Sequence, residues 1–555
     1  MWHKLYCIIF CIFVSCACTK TFAVVYENER ARIILKDGEI EGGQKRTVEK
    51  HNPYYYFQGI PYAEPPVGQL RFANPQPPKK WVNILDATKP GKTCIEMYYE
   101  KTGQEDCLYL NVFTPNLEKS LPVIVWIHGG AFVFIYGNYS LSGVDYFIDE
   151  EVIFVTVNYR MGPFGFLSTE DDVIPGNFGL KDQVMAILWV HANIAKFGGD
   201  PNKITIMGQS AGAVSAGYMG MIPQLKGKIA GIIQQSGSPL CPFGYGRYHR
   251  VSAYILSTRT GLQSQNSVEI LEHLRKMNAE ELRKNALITH MDVAFGMGTF
   301  HGLVFIPGLE SKTNSNPLLT GLTHEELLNG NFNKIPRMIG INSQEGIFIA
   351  NEFKTLNKSY QSYDQMIKRY IPVSMNTRSE KVGYLIKKHY TNDTPFTGNL
   401  TNMIHFGSDD QFVRPVLKDA ALVSKHVRTY LYHFSYEGKL GYSGEKAING
   451  VDHGEEIPYL FHDKDYKEDI SENDKLVRYK LVRLWSNFAK FANPTPQRVA
   501  LLDNQIWKPI DSLKQDVDYM DIGSKLVPSV NPHQQDIKFW NNLYNKYGNP
   551  PYDTY

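Results

Sequence analysis

The sequence predicts an α/β protein built on a mainly parallel central sheet with helices on both faces. Three observations carry that expectation. Pro122 to Ile127 and Glu151 to Tyr159 are continuous apolar runs, as in strands buried on both sides. Between them and the next strand, Asn177 to Phe197 sets Leu180, Val184, Ile187, Leu188 and Ile194 at helical spacing, so strand and helix alternate. The third observation is Ile204 to Ala213. Thr205, Ile206 and Met207 read as a short buried strand, and the small residues from Ala213 suit a tightly packed helix. Between them Gly208-Gln209-Ser210-Ala211-Gly212 makes a sharp strand-to-helix turn that thrusts the Ser210 hydroxyl out at the end of a sheet. A Cβ at either glycine would strike neighbouring backbone, and the following helix turns its positive end toward any anion formed there.

The other elements follow in order. Residues 31–45 alternate and turn like an opening hairpin, and a Pro-rich loop runs from Pro65 to Lys80. Leu108 to Phe113 alternates as a strand, and the run ending at Ile127 leads into His128-Gly129-Gly130-Ala131-Phe132. Gly198-Gly199-Asp200-Pro201 stops the helix before the serine strand. Ile232 to Ser236 and Arg337 to Ile341 read as further strands, and Tyr430 to Tyr436 as a late one. Residues 250–300 and 355–425 read as helical insertions covering the sheet ends. Leu476 to Phe491 is a helix closed by Asn493-Pro494. No repeat or low-complexity linker divides the chain, so one domain over residues 24–555 is expected despite the length of 555.

Residues 1–23 read as a secretory signal peptide: His3 and Lys4 begin it, Leu5 to Val14 is apolar, and cleavage after Ala23 or after Cys18 fits. The apolar run is short for a bilayer of about 30 Å. The polar tail from Asn549 to Tyr555 has neither a retention tetrapeptide nor a lipid-anchor signal, so secretion is expected. Of the 58 basic residues, Lys4 and Lys20 lie in the leader, which has no acid, leaving 56 against 56 acids. A neutral chain points to neither nucleic acid nor an anionic membrane as partner. Beyond the leader and its border the cysteines are Cys94, Cys107 and Cys241, so at most one internal bridge forms. Cys94 and Cys107 are close in sequence and would clip a small loop worth roughly 3 kcal/mol, leaving Cys241 free and buried. Asn138, Asn357, Asn392 and Asn399 stand in glycosylation sequons. No metal-ligand spacing and no phosphate loop appears, and no cofactor is inferred.

From about residue 30 to 540 the chain resembles the type-B carboxylesterase family, which includes cholinesterases, insect esterases and the non-catalytic neuroligins. The motifs are Glu105 to Val112, His128 to Phe132, Asn158-Tyr159-Arg160, Gly176 to Asp200, Gly208 to Gly212, Gln344-Glu345-Gly346, and Gly450-Val451-Asp452-His453-Gly454. The resemblance implies the α/β hydrolase fold and a carboxylic-ester hydrolase acting on small esters. A serine needs a base within reach, and that base needs an acid to hold its tautomer. Ser210, Glu345 and His453 stand in the chain order this fold uses. Glu455 and Glu456 read instead as solvated carboxylates. The resemblance makes Gly130, Ala131 and Ala211 the oxyanion donors, although the family often has a third glycine where this chain has Ala131. It also implies two structural ion pairs, Arg71 with Glu105 and Arg160 with Asp182.

Gln209 stands where most relatives have glutamate, and this form of the motif is similar to that of juvenile hormone esterases, which makes a hormone-specific esterase the alternative reading. A non-catalytic adhesion relative is an alternative of a different class, but such relatives typically lack the serine. Cholinesterases hold quaternary ammonium over an indole in the loop of their first disulfide, by cation–π attraction. Here the corresponding loop, Ile95 to Asp106, is shorter, has Tyr98 and Tyr99 but no tryptophan, and carries Lys101. His301 and Leu303 fall roughly where cholinesterases place acyl-pocket aromatics. Neutral aliphatic or aryl esters are therefore the expected substrates.

Overall fold

The computed structural model describes residues 30–555 apart from 101, 136–142, 298–302, 378, 442–445, 447 and 463–469. The signal peptide at 1–23, Lys101, Asn138 and His301 therefore lie outside the described residues. The strands are β1 (Ala31–Ile34), β2 (Glu39–Arg46), β3 (Pro53–Pro61), β4 (Leu85–Asp86), β5 (Tyr109–Thr114), β6 (Leu121–Ile127), β7 (Ile153–Val157), β8 (Gly199–Gln209), β9 (Gly231–Gln235), β10 (Arg337–Asn342), β11 (Thr429–Phe434), β12 (Asp518–Ile522) and β13 (Leu526–Val530). They join in one sheet, in the order β1-β2-β3-β5-β7-β6-β8-β9-β10-β11-β12-β13, with β4 beside β2. From β7 to β12 every neighbouring pair is parallel. The flanking hairpins are antiparallel.

The continuous apolar runs follow from burial on both faces. In β6, Val123, Val125 and Ile127 point into one core, which also holds Leu180, Ile187 and Val190 of the helix Phe178–Asn193. Ile124 and Trp126 point into a second core with Leu481, Leu484, Trp485 and Phe488 of the helix Glu472–Phe491. Each such side chain contributes about 1.5–3 kcal/mol of transfer free energy. That double burial is why these strands read as unbroken hydrophobic stretches rather than as alternation. A third core gathers Tyr360, Phe396, Phe406 and Trp540 under the helices that follow β10 and the C-terminal helix Gln534–Tyr547.

The structure extends the sequence reading at several points. The serine strand is longer than Thr205–Met207, running from Gly199 through Gln209. The following helix starts at Ala211, two residues before the small-residue run suggests. The hairpin β12–β13 and the helix Gln534–Tyr547 carry mixed patterns that the sequence reading leaves unassigned. Asn392 and Asn399 are exposed, and the Asn399 side chain caps the helix Leu400–Ser408 by accepting from Thr401 N–H at 2.9 Å. Asn357 falls in the helix Phe348–Gln365, its side chain outside the described residues.

Cys94 and Cys107 are bonded, and Arg71–Glu105 and Arg160–Asp182 form ion pairs at 2.6 and 2.7 Å. Cys241 is free and fully buried, and burial pushes its thiol well above the ordinary range. Cys241 is therefore expected to resist alkylation by iodoacetamide in the native protein and to react fully in denaturant; labelling before unfolding, read by peptide mass spectrometry, would contradict this.

Candidate active site

The turn at the end of β8 takes its shape from close packing. A Cβ on Gly212 would lie 2.0 Å from the Ile127 carbonyl oxygen, and one on Gly208 would lie 2.2 Å from the Gly212 carbonyl oxygen. Helix and strands approach too closely there for any side chain. Ser210 absorbs the turn with φ 57° and ψ −125°, a region that L-residues rarely adopt. Its N–H donates to the Gln235 carbonyl at 2.8 Å, and its carbonyl accepts from Ala213 and Val214 in the first helical turn. The side chain sits at the surface end of a buried element, 9% exposed.

Beside the turn, the His128–Phe132 loop bends through positive φ at Gly130 (113°), Ala131 (53°) and Phe132 (64°). Ala131 thus takes the left-handed conformation that a glycine would occupy without strain. Among the described residues, the N–H groups of Gly130, Ala131 and Ala211 donate to no protein acceptor. Such N–H groups are available to an anion. The loop is anchored by His128, whose ring stacks on Tyr159 at 4.4 Å and whose carbonyl accepts from Tyr159 O–H at 3.0 Å. Burial holds His128 down to about 4, so it stays neutral.

Glu345 lies just beyond β10, fully buried, and its Oε1 accepts from Asn342 N–H at 2.7 Å. Its Oε2 pairs with His453 Nδ1 at 2.7 Å, with 13% of the imidazole exposed. The other imidazole nitrogen, Nε2, receives the Gln209 side-chain amide at 3.1 Å. The structure thus brings Glu345, His453 and the Ser210 turn together, but Gln209 rather than Ser210 is the partner of Nε2. Burial disfavours the His453 cation, yet the hydrogen bond and charge of Glu345, with the charges of Glu456 and Asp452, outweigh that and raise its pKa above 6.5.

Glu455 and Glu456 are not solvated, contrary to the sequence expectation: they are 4% and 0% exposed. Each is buried with its hydrogen-bond needs met. Glu456 accepts from Gln235 Nε2 at 2.9 Å and Asn342 Nδ2 at 2.7 Å, while Glu455 accepts from Asp452 N–H and from Lys446 at 2.9 Å. Burial pushes the Glu456 carboxyl up, and it pushes Asp452, which accepts from the N–H groups of His453 and Phe348, up to about 7. Sequence reasoning gave Gln235 and Asn342 no part in the site and named Asp452 only as a motif residue without a role. The available signal was a polar residue at the end of an otherwise apolar strand, as at Gln235 and Asn342.

Aromatic rings lie beside His453 and along the disulfide loop. Phe412 and Phe348 lie 4.4 and 5.9 Å from the His453 ring, and Phe243 lies against Phe412 at 5.3 Å. Tyr98 and Tyr99 of the disulfide loop meet Phe134 edge-on at 5.7 and 6.5 Å. Leu303 is partly buried against the main core.

The parallel sheet, the strained serine turn and the helices on either face define an α/β hydrolase. The chain belongs to the carboxylesterase family, whose model matches residues 29–540. It is 33% identical to juvenile hormone esterase of Tribolium castaneum, over 87% of this chain and 86% of that protein. It is 32% identical to esterase FE4 of Myzus persicae, over 91% and 90%. The crystal structure of juvenile hormone esterase from Manduca sexta with OTFP covalently attached matches at a TM-score of 0.82 and 26% identity, covering 93% of this chain and 100% of that one. The protein is accordingly a carboxylic-ester hydrolase. Among the described residues, no helix is long and apolar enough to cross a membrane.

Two outcomes follow from this geometry. Ser210→Gly is expected to be more stable than Ser210→Ala by about 1–2 kcal/mol, because glycine alone adopts φ 57° and ψ −125° without strain; equal urea midpoints would mean the turn is relaxed. The His453 imidazole is expected to titrate above 6.5, so its protonation stabilises the fold below that value and the contribution is lost as pH rises through the raised pKa. NMR titration should show this midpoint falling in Glu345→Gln; an unmoved midpoint would contradict the assigned cause.

Proposed function

We propose that this is a secreted serine carboxylesterase, a single hydrolase domain over residues 24–555, that cleaves small neutral esters through an acyl-enzyme on Ser210. The observation that carries the reading is the 2.7 Å contact of His453 Nδ1 with Glu345 Oε2, which turns Nε2 toward the serine turn. Glu345 fixes the tautomer with the proton on Nδ1 and supports the imidazolium. The Ser210 hydroxyl displaces Gln209 from Nε2, gives up its proton there and attacks the ester carbonyl. The N–H groups of Gly130, Ala131 and Ala211 receive the oxyanion, each contributing about 3–4 kcal/mol. The tetrahedral intermediate collapses, the leaving alkoxide takes the proton from His453, and water repeats the sequence to release the acid.

The substrate reading rests on the rings around His453 and on the disulfide loop. Phe348 and Phe412 offer apolar walls suited to an uncharged acyl or alcohol group, and the loop Ile95 to Asp106 has tyrosines in place of an indole. Gln209, in contact with His453, favours a second reading as a juvenile hormone esterase, in line with the named relatives. Export is supported by the amino-terminal sequence and the bonded cysteines.

Ser210→Ala is expected to keep the fold and lose roughly 10⁴-fold or more in kcat. An organophosphate should attach to Ser210; an adduct elsewhere, with Ser210→Ala still active, would remove Ser210 as nucleophile. The acid limb of kcat/KM should have its midpoint above 6.5, since His453 acts as base only when neutral. On one preparation, kcat/KM for a butyrate aryl ester should exceed that for butyrylcholine; equality would show an ammonium site that the loop does not suggest. A juvenile hormone methyl ester cleaved faster than the aryl ester would select the hormone reading.

A further inference from the structure

Away from the serine turn, a group of imidazoles and carboxylates joins the C-terminal helix to the helices that follow β10. His533 immediately precedes the helix Gln534–Tyr547, and Asp536 lies in its first turn. Asp409 opens a wide π-type turn, Asp409–Val413, between the helices Leu400–Ser408 and Arg414–Val423. One donor atom from each of Asp409, His533 and Asp536 lies within 4.8 Å of the other two. We propose that these three side chains bind one divalent transition-metal ion of the zinc class, which fastens the C-terminal helix to the rest of the chain.

Asp409 is 3% exposed, and its Oδ2 accepts from Tyr390 O–H at 2.6 Å. Its Oδ1 stands 3.8 Å from His533 Nδ1, beyond hydrogen-bond reach, and among the described residues accepts no hydrogen bond. With 3% of the residue exposed, that oxygen has little water to match it, and a cation would satisfy it. His533 Nε2 is also buried without a partner among the described residues. Among the described residues the only ion-pair partners of either carboxylate are imidazoles, His533 for Asp409 and His389 for Asp536; neither meets a lysine or arginine within 4.0 Å. Once ligated, two ionised carboxylates and a neutral imidazole carry two negative charges, which a divalent ion balances.

The surroundings have the form of an outer shell. Tyr390, which holds Asp409, itself accepts from Trp540 Nε1 at 2.7 Å. Asp536 Oδ1 pairs with His389 Nε2 at 2.7 Å, and the His389 ring lies flat on Phe539 at 3.9 Å. Hydrogen bonds of this kind orient ligating carboxylates. An imidazole among the ligands favours zinc and its neighbours cobalt, nickel and copper over calcium, magnesium or manganese, which suit oxygen ligands. Zinc bonds of about 2.0–2.1 Å would draw the donors inward, with water completing four-fold coordination. Sequence spacing hides the site, because Asp409 is far along the chain from His533 and Asp536.

The test uses the secreted protein without a polyhistidine tag. Elemental analysis after gel filtration should find about one zinc per chain, and dialysis against a chelator should remove it and lower Tm, with zinc restoring both. Asp536→Asn and His533→Gln should each weaken zinc binding by about tenfold or more while ester hydrolysis is retained as the check on folding. The cobalt-loaded protein should show visible absorption that both variants lose. Less than about a tenth of an equivalent of zinc in the wild type at saturating zinc, or wild-type binding in both variants, would overturn the proposal. If neither variant is secreted, the wild-type zinc content and its Tm response decide.

Discussion

The approach of the helix Ala211–Met219 to the ends of β6 and β8 is the constraint on which the site depends. With the Gly212 Cα close enough to Ile127 that a methyl would lie 2.0 Å from its carbonyl oxygen, the chain has no slack between strand and helix. Ser210 takes the strain, and a residue held in such a conformation costs on the order of 1–3 kcal/mol. The sheet supplies that many times over, since the strands on either side are buried on both faces. Backbone strain at one residue is therefore sustained by side-chain burial at many others, and the same packing points the helix N-terminus at the serine.

A second dependence runs beneath the Glu345–His453 pair. Trp485 Nε1 donates to Gln235 Oε1 at 3.0 Å, Gln235 and Asn342 donate to Glu456, and Asn342 also reaches the Asp452 carbonyl at 2.7 Å and, through its own N–H, Glu345. This path leads from a core helix to both residues that hold His453. Buried carboxylates are tolerable only when each oxygen is matched, and a partly matched network would be worse than an apolar one. The matched oxygens of Glu345 and Glu456 explain how these acids can crowd together beside Asp452, although Asn342 Oδ1 is buried without a partner among the described residues. The same arrangement explains why the His453 pKa is raised despite burial, through the hydrogen bond and charge of Glu345 and the charges of Glu456 and Asp452.

The loop carrying Gly130 and Ala131 is held from the other side by the disulfide loop. Met97 N–H donates to the Val133 carbonyl at 2.7 Å, and Ile135 N–H donates to Glu96 at 2.9 Å. Arg71 binds Glu105 at the far end of that loop and donates to the carbonyls of Leu274, Arg275 and Met277. The disulfide thus closes a segment that joins the N–H groups beside the serine to an outer helix. Its part in the site is positional.

The sequence by itself determined the sheet and its parallel centre, and through its family motifs it pointed to the three residues of the proposed triad. Burial on both faces writes itself as continuous apolar runs at β6 and β7, and a turn that excludes every Cβ can be written only with glycine, as at Gly208 and Gly212. The ion pairs of Arg71 and Arg160 were legible through family motifs for a similar reason: a bidentate guanidinium pair admits few substitutes. Tertiary structure alone decided the rest. Glu456 looks like any surface glutamate until Gln235 and Asn342 arrive from two other strands, and Gln209 looks like a motif variant until His453 comes within 3.1 Å. Asp409 and His533 likewise gain meaning only when the C-terminal helix docks. Periodicity and turn chemistry are local, so a chain displays them along its length. The partner of a buried polar atom comes from wherever the fold brings it, and no spacing in the sequence records that.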